Sequence, residues 1–263
     1  MGKLAKQQEV LYHVGLSRAM LQGATYALLP GDPGRVESLA KALGPSKFLA
    51  CHREYTSFLA DLVGQKVLVC STGMGGPSVA IGVEELARLG ITHFIRVGTT
   101  GSIQDKINLG EVIINKAAVR LEGTSTHYAP LAFPAVADLN LTNALVKGAE
   151  KAQVPYHVGI SISSDTFWPG QERYDSFTGY VPKALRGSLA EWQQLGATNY
   201  EMEAATLFVV AQSFGLAAAC ICGVVAKRTK SEKVAPPSIY KKASERFQQT
   251  VKEALLLLLT KKA

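Results

Sequence analysis

The stretch SSDTFWPGQERYD, residues 163–175, sets an amide, Gln171, and a guanidinium, Arg173, one residue apart behind two aromatics, Phe167 and Trp168. In an extended segment residues two apart face the same side, so both polar heads would reach one object. The amide offers an acceptor and a donor, which matches the N–H beside a carbonyl on a uracil edge, and Arg173 can donate to a carbonyl oxygen. Phe167 and Trp168 would then cover the ring or a sugar, with core packing the competing account of one of them. A second constellation, NYEMEAATL, places Glu201 and Glu203 on either side of Met202 at the start of an apolar run. A helix dipole alone favours acidic residues there. A carboxylate is also the natural acceptor for a vicinal diol, and an anion beside an anomeric carbon favours an oxocarbenium-like transition state. A third set is Arg35 in GDPGR, Arg53 in HREY and Arg96 in RVGTTG, which accompany glycine-bearing turns. Glycine lets backbone N–H groups approach an anion and guanidinium grips phosphate oxygens, so together they point to phosphate. Taken singly, each arginine is as well explained by a surface ion pair, and each glycine by the need to turn.

Elements must bring these groups together. ATYALLP leads through GDPG into RVESLAKAL, QKVLVCST leads through GMGGPS into VAIGVEELARLG, and THFIRV ends in GTTGS. This rhythm predicts an α/β fold with a twisted, largely parallel sheet, and ligands of such sheets collect at the carboxyl ends of the strands. No linker composition or repeat divides the chain, so residues 1–263 are expected to form one domain. The composition, 47% apolar and 19% charged, is that of a globular chain with a sizeable core. The net charge of +7 is local: residues 227–263 hold ten Lys and Arg against three Glu, and the rest is balanced. KKASERFQQTVKEALLLLLTKKA has helical apolar spacing, so those lysines read as the solvated face of a terminal helix. No helix-turn-helix, RNA-recognition or zinc-finger pattern supports a nucleic-acid partner. Cys51, Cys70, Cys220 and Cys222 lack metal spacing, and Cys220 and Cys222 belong on one face of a buried strand. With no signal segment or apolar span, the expected location is cytoplasmic and away from membranes.

The motifs PGDPGRVE, HREYTSF, STGMGGPS, RVGTTG, SSDTFWPGQERYD and NYEMEAATL, in that order along nearly the whole chain, resemble the bacterial uridine phosphorylases of the nucleoside phosphorylase superfamily. The FxPGQER element separates this branch from its purine-specific relatives. The resemblance implies a three-layer α/β/α sandwich around a mixed sheet, assembled as a hexamer, a trimer of dimers. It implies reversible phosphorolysis of uridine by inorganic phosphate to uracil and ribose 1-phosphate, with no organic cofactor. Phosphate would be held by Gly31, Arg35, Arg96 and Thr99, with Arg53 entering from a neighbouring subunit. Ribose would meet Met202 and Glu203, with His13 from that neighbour at the 5′-hydroxyl, and uracil would meet Phe167, Gln171 and Arg173. Without the resemblance, His13 reads as a surface or capping histidine. A structural potassium ion between paired subunits is implied at Glu54, the Met74 carbonyl and Ser78.

Trp168 stands where the family leads one to expect Tyr, and Lys227 where it leads one to expect Asn, ahead of an atypical segment TKSEKVAPPSIYKK. Three alternatives compete. A purine nucleoside phosphorylase would want an acidic residue after the late strand, and CGVVAKRTKS has none. A nucleosidase would dispense with phosphate arginines, and a non-catalytic binder of nucleosides or RNA would use the basic segment.

Overall fold

Uniformly apolar runs become the buried central strands, because a strand covered on both faces has no polar side. The computed structural model describes residues 2–229 and 231–260, so Lys230, Lys261 and Lys262 of the basic segment lie outside the described residues. In chain order the elements are α1 (Arg18–Leu21), β1 (Tyr26–Pro30), α2 (Val36–Leu43), β2 (Ser46–His52), β3 (Tyr55–Leu62), β4 (Gln65–Cys70), α3 (Gly76–Arg88) and β5 (His93–Ser102). They continue with β6 (Val112–Leu121), β7 (Ala135–Val136), α4 (Leu139–Lys151), β8 (Tyr156–Ser164), α5 (Ser188–Gln194), β9 (Asn199–Glu201), α6 (Ala204–Ser213), β10 (Ala217–Lys227) and α7 (Pro237–Thr260).

The sheet is mixed. β4, β1, β5 and β10 run parallel side by side, while β3 and β2 extend the β4 edge antiparallel. β10 also pairs with β6, β6 with β8, β8 with β9, and β9 returns to β5, so five strands close on themselves. A buried polar relay crosses this ring: Asn115 Nδ2 donates to Asn199 Oδ1 at 2.8 Å, and Asn199 Nδ2 donates to Thr100 Oγ1 at 2.9 Å. Because all three groups have partners, the relay fixes strand register without leaving an unpaired polar atom of its own.

Two helical layers cover the sheet. Leu39 and Leu43 of α2, Leu141 and Leu145 of α4, and Phe247, Val251 and Leu255 of α7 pack on one face. Val79, Val83 and Leu86 of α3 and Leu207, Phe208 and Val210 of α6 pack on the other. The buried positions 243, 247, 251, 254 and 255 of α7 follow helical spacing, and Lys241 and Lys242 stay exposed. Gly148 of α4 lets α7 come close, since a Cβ there would lie 2.4 Å from the Thr250 carbonyl oxygen. Cys220 and Cys222 share one face of β10 as free thiols, their sulfurs 3.6 Å apart in a hydrogen bond and not in a disulfide.

Two local expectations are corrected. The GTTG of RVGTTG is not a turn: β5 runs through it to Ser102. Its glycines make room for neighbours, since a Cβ on Gly98 would stand 3.2 Å from Cys222 Sγ and one on Gly101 3.3 Å from Arg228 Cδ. Nor does the 163–175 stretch run extended. β8 ends at Ser164, and Pro169–Gln171 form a 3-10 turn followed by Glu172 in the left-handed region at φ +51°.

Candidate active site

The carboxyl ends of β1, β4, β5, β9 and β10, with the turn after β8, surround one cavity of about 450 Å³. Of the residues singled out from the sequence, Gly31, Arg35, Met74, Arg96, Thr99, Phe167, Gln171, Arg173, Glu201, Met202 and Glu203 line it. His13, Arg53, Glu54 and Ser78 do not.

Alternation along β5 sends Arg96 toward the layer of α3 and α6, where it meets the chain entering α6. Its Nη2 donates to Glu203 Oε2, and Glu203 Oε1 accepts the Gly75 N–H at 2.8 Å. Burial is the largest single influence on Arg96 and works against its charge, but Glu203, the strongest of the opposing neighbours, and Cys220, Cys222 and Glu201 together hold the guanidinium above its ordinary range. Arg35, on the turn after β1, is held below its ordinary range by burial and then by Arg96, against Asp32. Its tie to Asp32 is loose, 3.6 Å. Buried Arg35 Nη1, Arg96 Nε and Arg96 Nη1 have no hydrogen-bond partner among the described residues. Two mutually repelling cations with unfilled donors have the chemistry to accept an oxyanion. Gly31 cannot carry a side chain here, because a Cβ would lie 2.9 Å from the Gly73 carbonyl oxygen and 3.4 Å from Arg96 Nη2.

The two acidic residues of NYEMEAATL divide their work. Glu201 Oε2 accepts the N–H groups of Glu203 and Ala204, both at 2.7 Å, at the start of α6, and Glu201 also takes a bond from Ser163 Oγ. Burial first, then the charge of Glu203, push the Glu201 carboxyl up. Both line the cavity, but Glu201 is committed to the start of the helix, while Glu203 lies against the arginine.

Gln171 and Arg173 reach the cavity by a route other than alternation. Glu172, between them, points the opposite way and accepts the N–H groups of Gly187 and Leu189 at the start of α5. Gly170 is required by this turn, as a Cβ would lie 2.2 Å from Ser164 Oγ. Arg173 is buried, and its guanidinium stacks over Phe167 with Cζ 4.2 Å from the ring centroid. Neither aromatic of this stretch is core: Phe167 is 38% exposed and Trp168, edge-on to it, 45%.

His13 and Arg53 sit together on the surface around Tyr12. Arg53 Nη2 donates to the Tyr12 hydroxyl at 3.3 Å, and His13 Nδ1 lies 2.7 Å from Glu85 Oε1. Glu54 packs against Gly73, and Ser78 Oγ donates to the Met74 and Gly75 carbonyls, each at 3.2 Å. The sequence reading missed Tyr240 of α7, which lines the cavity, and the buried Arg228, which donates to the Gln171 carbonyl at 2.7 Å. No local signal marked either. Lys227, one residue earlier, ties instead to the Asp105 carbonyl at 2.6 Å.

The sequence profile of the Phosphorylase superfamily matches residues 25–256. The chain is 53% identical to a uridine phosphorylase of Escherichia coli strain K12 over 84% of its length and 88% of that protein's. It is 46% identical to a uridine phosphorylase of Thermococcus kodakarensis, over 86% and 80% of the two chains. A guanosine phosphorylase of Halorubrum lacusprofundi is 37% identical over 75% and 76%. With most of each sequence aligned and the profile spanning sheet and helices alike, the chain belongs to the Phosphorylase superfamily.

Proposed function

We propose that this chain catalyses the reversible phosphorolysis of uridine. Inorganic phosphate attacks the anomeric carbon, a new C–O bond forms as the bond to the uracil nitrogen breaks, and the electron pair leaves with the base. The products are uracil and α-D-ribose 1-phosphate, inversion following from a single displacement. The observation that carries the reading is the pairing, in one cavity, of two guanidiniums with unfilled buried donors and the amide–guanidinium pair Gln171 and Arg173. The uridine phosphorylases among its relatives support it.

In this reading Gly31, Arg35, Arg96 and Thr99 hold phosphate, and Met202 and Glu203 meet the ribose. Phe167, Gln171 and Arg173 receive uracil. Glu203 stabilises positive charge on the sugar, while Gln171 and Arg173 stabilise negative charge on the departing base. No side chain needs to become a nucleophile, so rate comes from positioning and electrostatics. The purine reading draws on the guanosine phosphorylase, which is less similar than the uridine enzymes named above.

We further propose that the chain acts as one domain, a hexamer of paired subunits in the cytoplasm. His13 and Arg53 complete the neighbour's site. Their exposure as one cluster outside the cavity supports this. The oxygens of Glu54, the Met74 carbonyl and Ser78 are hard donors of the kind an alkali cation takes, so potassium suits them. Four free cysteines suit a reducing compartment, and among the described residues no helix is long and apolar enough to cross a membrane.

The test is the loss of uridine absorbance with and without phosphate, run beside inosine. The expected result is uridine cleavage that requires phosphate. Cleavage indifferent to phosphate, preference for inosine, or turnover of neither nucleoside would each overturn the reading.

A further inference from the structure

Glu232 is shared by two buried guanidiniums. Its Oε2 accepts from Arg173 Nη1 at 2.9 Å and from Arg228 Nε at 2.8 Å, and its Oε1 from Arg228 Nη2 at 3.0 Å. Its backbone carbonyl takes another bond from Arg173 Nη1 at 3.0 Å. Arg173 is 2% exposed and Arg228 4%, yet the Glu232 side chain keeps 31% of its surface open. The same Arg228 donates to the backbone carbonyls of Gln171, at 2.7 Å, and Glu172, at 3.3 Å. Its guanidinium also lies over the Tyr200 ring.

One carboxylate therefore fixes two things at once. It fixes the direction of the Arg173 head directly, and it fixes the main chain at Gln171 through Arg228. Bidentate charge-assisted bonds of this kind set geometry as well as energy. Without the carboxylate the two guanidiniums would face each other in a buried place with Asp175 as a weaker counter-charge for Arg173, and like charges repel strongly there. Burial and then Arg228 already hold Arg173 below its ordinary range, against the pull of Glu232. Glu232 lies outside the cavity lining, so its influence passes through its neighbours.

We propose that Glu232 is a positioning residue for base recognition, orienting both Gln171 and Arg173 through its clamp on Arg173 and Arg228. This rests on the reading of Gln171 and Arg173 as the pair that receives uracil. Since the Glu232 side chain is partly open, a small carboxylate from solvent can enter the space left by its removal.

The experiment compares Glu232→Ala, Glu232→Gln and Glu232→Asp in steady-state kinetics, each substrate varied in turn, with and without added acetate. Thermal melting checks that each variant is folded, and the isosteric Gln variant keeps the test open if the Ala variant melts early. The expected result is a KM for uridine raised about tenfold or more in the Ala and Gln variants, with the KM for phosphate within about twofold of wild type. Acetate is expected to restore part of the activity of Glu232→Ala and none of that of Glu232→Gln, whose amide fills the space. The Asp variant is expected to lie between wild type and Ala. A rise in both KM values together, or a fall in kcat with the uridine KM unchanged, would overturn the proposal. So would a Glu232→Ala variant indifferent to acetate. Failure of the wild-type protein to cleave uridine with phosphate would instead remove the underlying reading.

Discussion

Arg35 and Arg96 lie on the cavity with donors unfilled, whereas Gln171 and Arg173 approach it from the turn after β8. That separation carries the first prediction. Gln171→Ala or Arg173→Ala should weaken uridine and uracil recognition by about 1–3 kcal/mol per lost partner while leaving phosphate affinity close to wild type. Calorimetric titration with phosphate decides it. Phosphate affinity collapsing together with activity would mean that these residues do not form a separate base side. The converse holds for Arg35→Ala, which removes a charge-assisted partner of the anion and should raise the KM for phosphate about tenfold with uridine affinity little changed. Steady-state kinetics with phosphate varied would read that effect.

The turn that presents Gln171 and Arg173 depends on the residue between them. Glu172 is 7% exposed and accepts from Leu189 N–H at 2.6 Å, Gly187 N–H, the Tyr174 hydroxyl and Ser188 Oγ, so it ties this turn to the start of α5. Burial opposes its charge most, but the N–H groups of Leu189 and Gly187 and the hydroxyls of Tyr174 and Ser188 together hold the carboxyl below its ordinary 4.5. A carboxyl depressed by folding contributes stability above its unfolded pKa and loses that contribution as pH falls through the lower folded value. Glu172→Gln should therefore cost about 1–2 kcal/mol near pH 7, and the gap to wild type should narrow as pH falls from 4.5 through the lower folded value. Urea unfolding across that range measures it, and a gap independent of pH would contradict the role given to the charge. The βα turns after β1 and β4 were legible because glycine, apolar runs and helical spacing are local signals, and both lead where the pattern pointed. The Pro-Gly break at residues 169–170 was equally visible, yet its meaning depends on Ser164 and Thr166, whose hydroxyls fill the space a Gly170 side chain would need. The glycines of RVGTTG misled for the same reason: their neighbours, Cys222 and Arg228, arrive from β10 and the residue after it, more than a hundred positions along the chain. Arg228 and Glu232 were illegible because a guanidinium's partners are chosen by tertiary proximity, which no local spacing encodes.

At the scale of the whole molecule, the cavity and the Tyr12, His13 and Arg53 cluster lie apart on one chain, which is how a site shared between subunits would look from one of them. Arg35→Ala and Arg53→Ala, each with little activity when phosphate is held well below its raised KM, should complement each other under that condition when unfolded and reassembled in equal amounts. Random pairing makes half the dimers mixed, and half of the sites in these are intact, so activity should recover to about one quarter of wild type. A mixture no more active than its parents, with mixed dimers demonstrated by mass spectrometry, would show that Arg53 does not serve a neighbour. Displacement of uracil by phosphate at the anomeric carbon can be followed by phosphorus NMR of uridine and inorganic phosphate incubated with the protein. The inorganic phosphate signal is expected to fall as that of α-D-ribose 1-phosphate rises, mole for mole with released uracil. Uracil released alongside free ribose, with the phosphate signal unchanged, would contradict it.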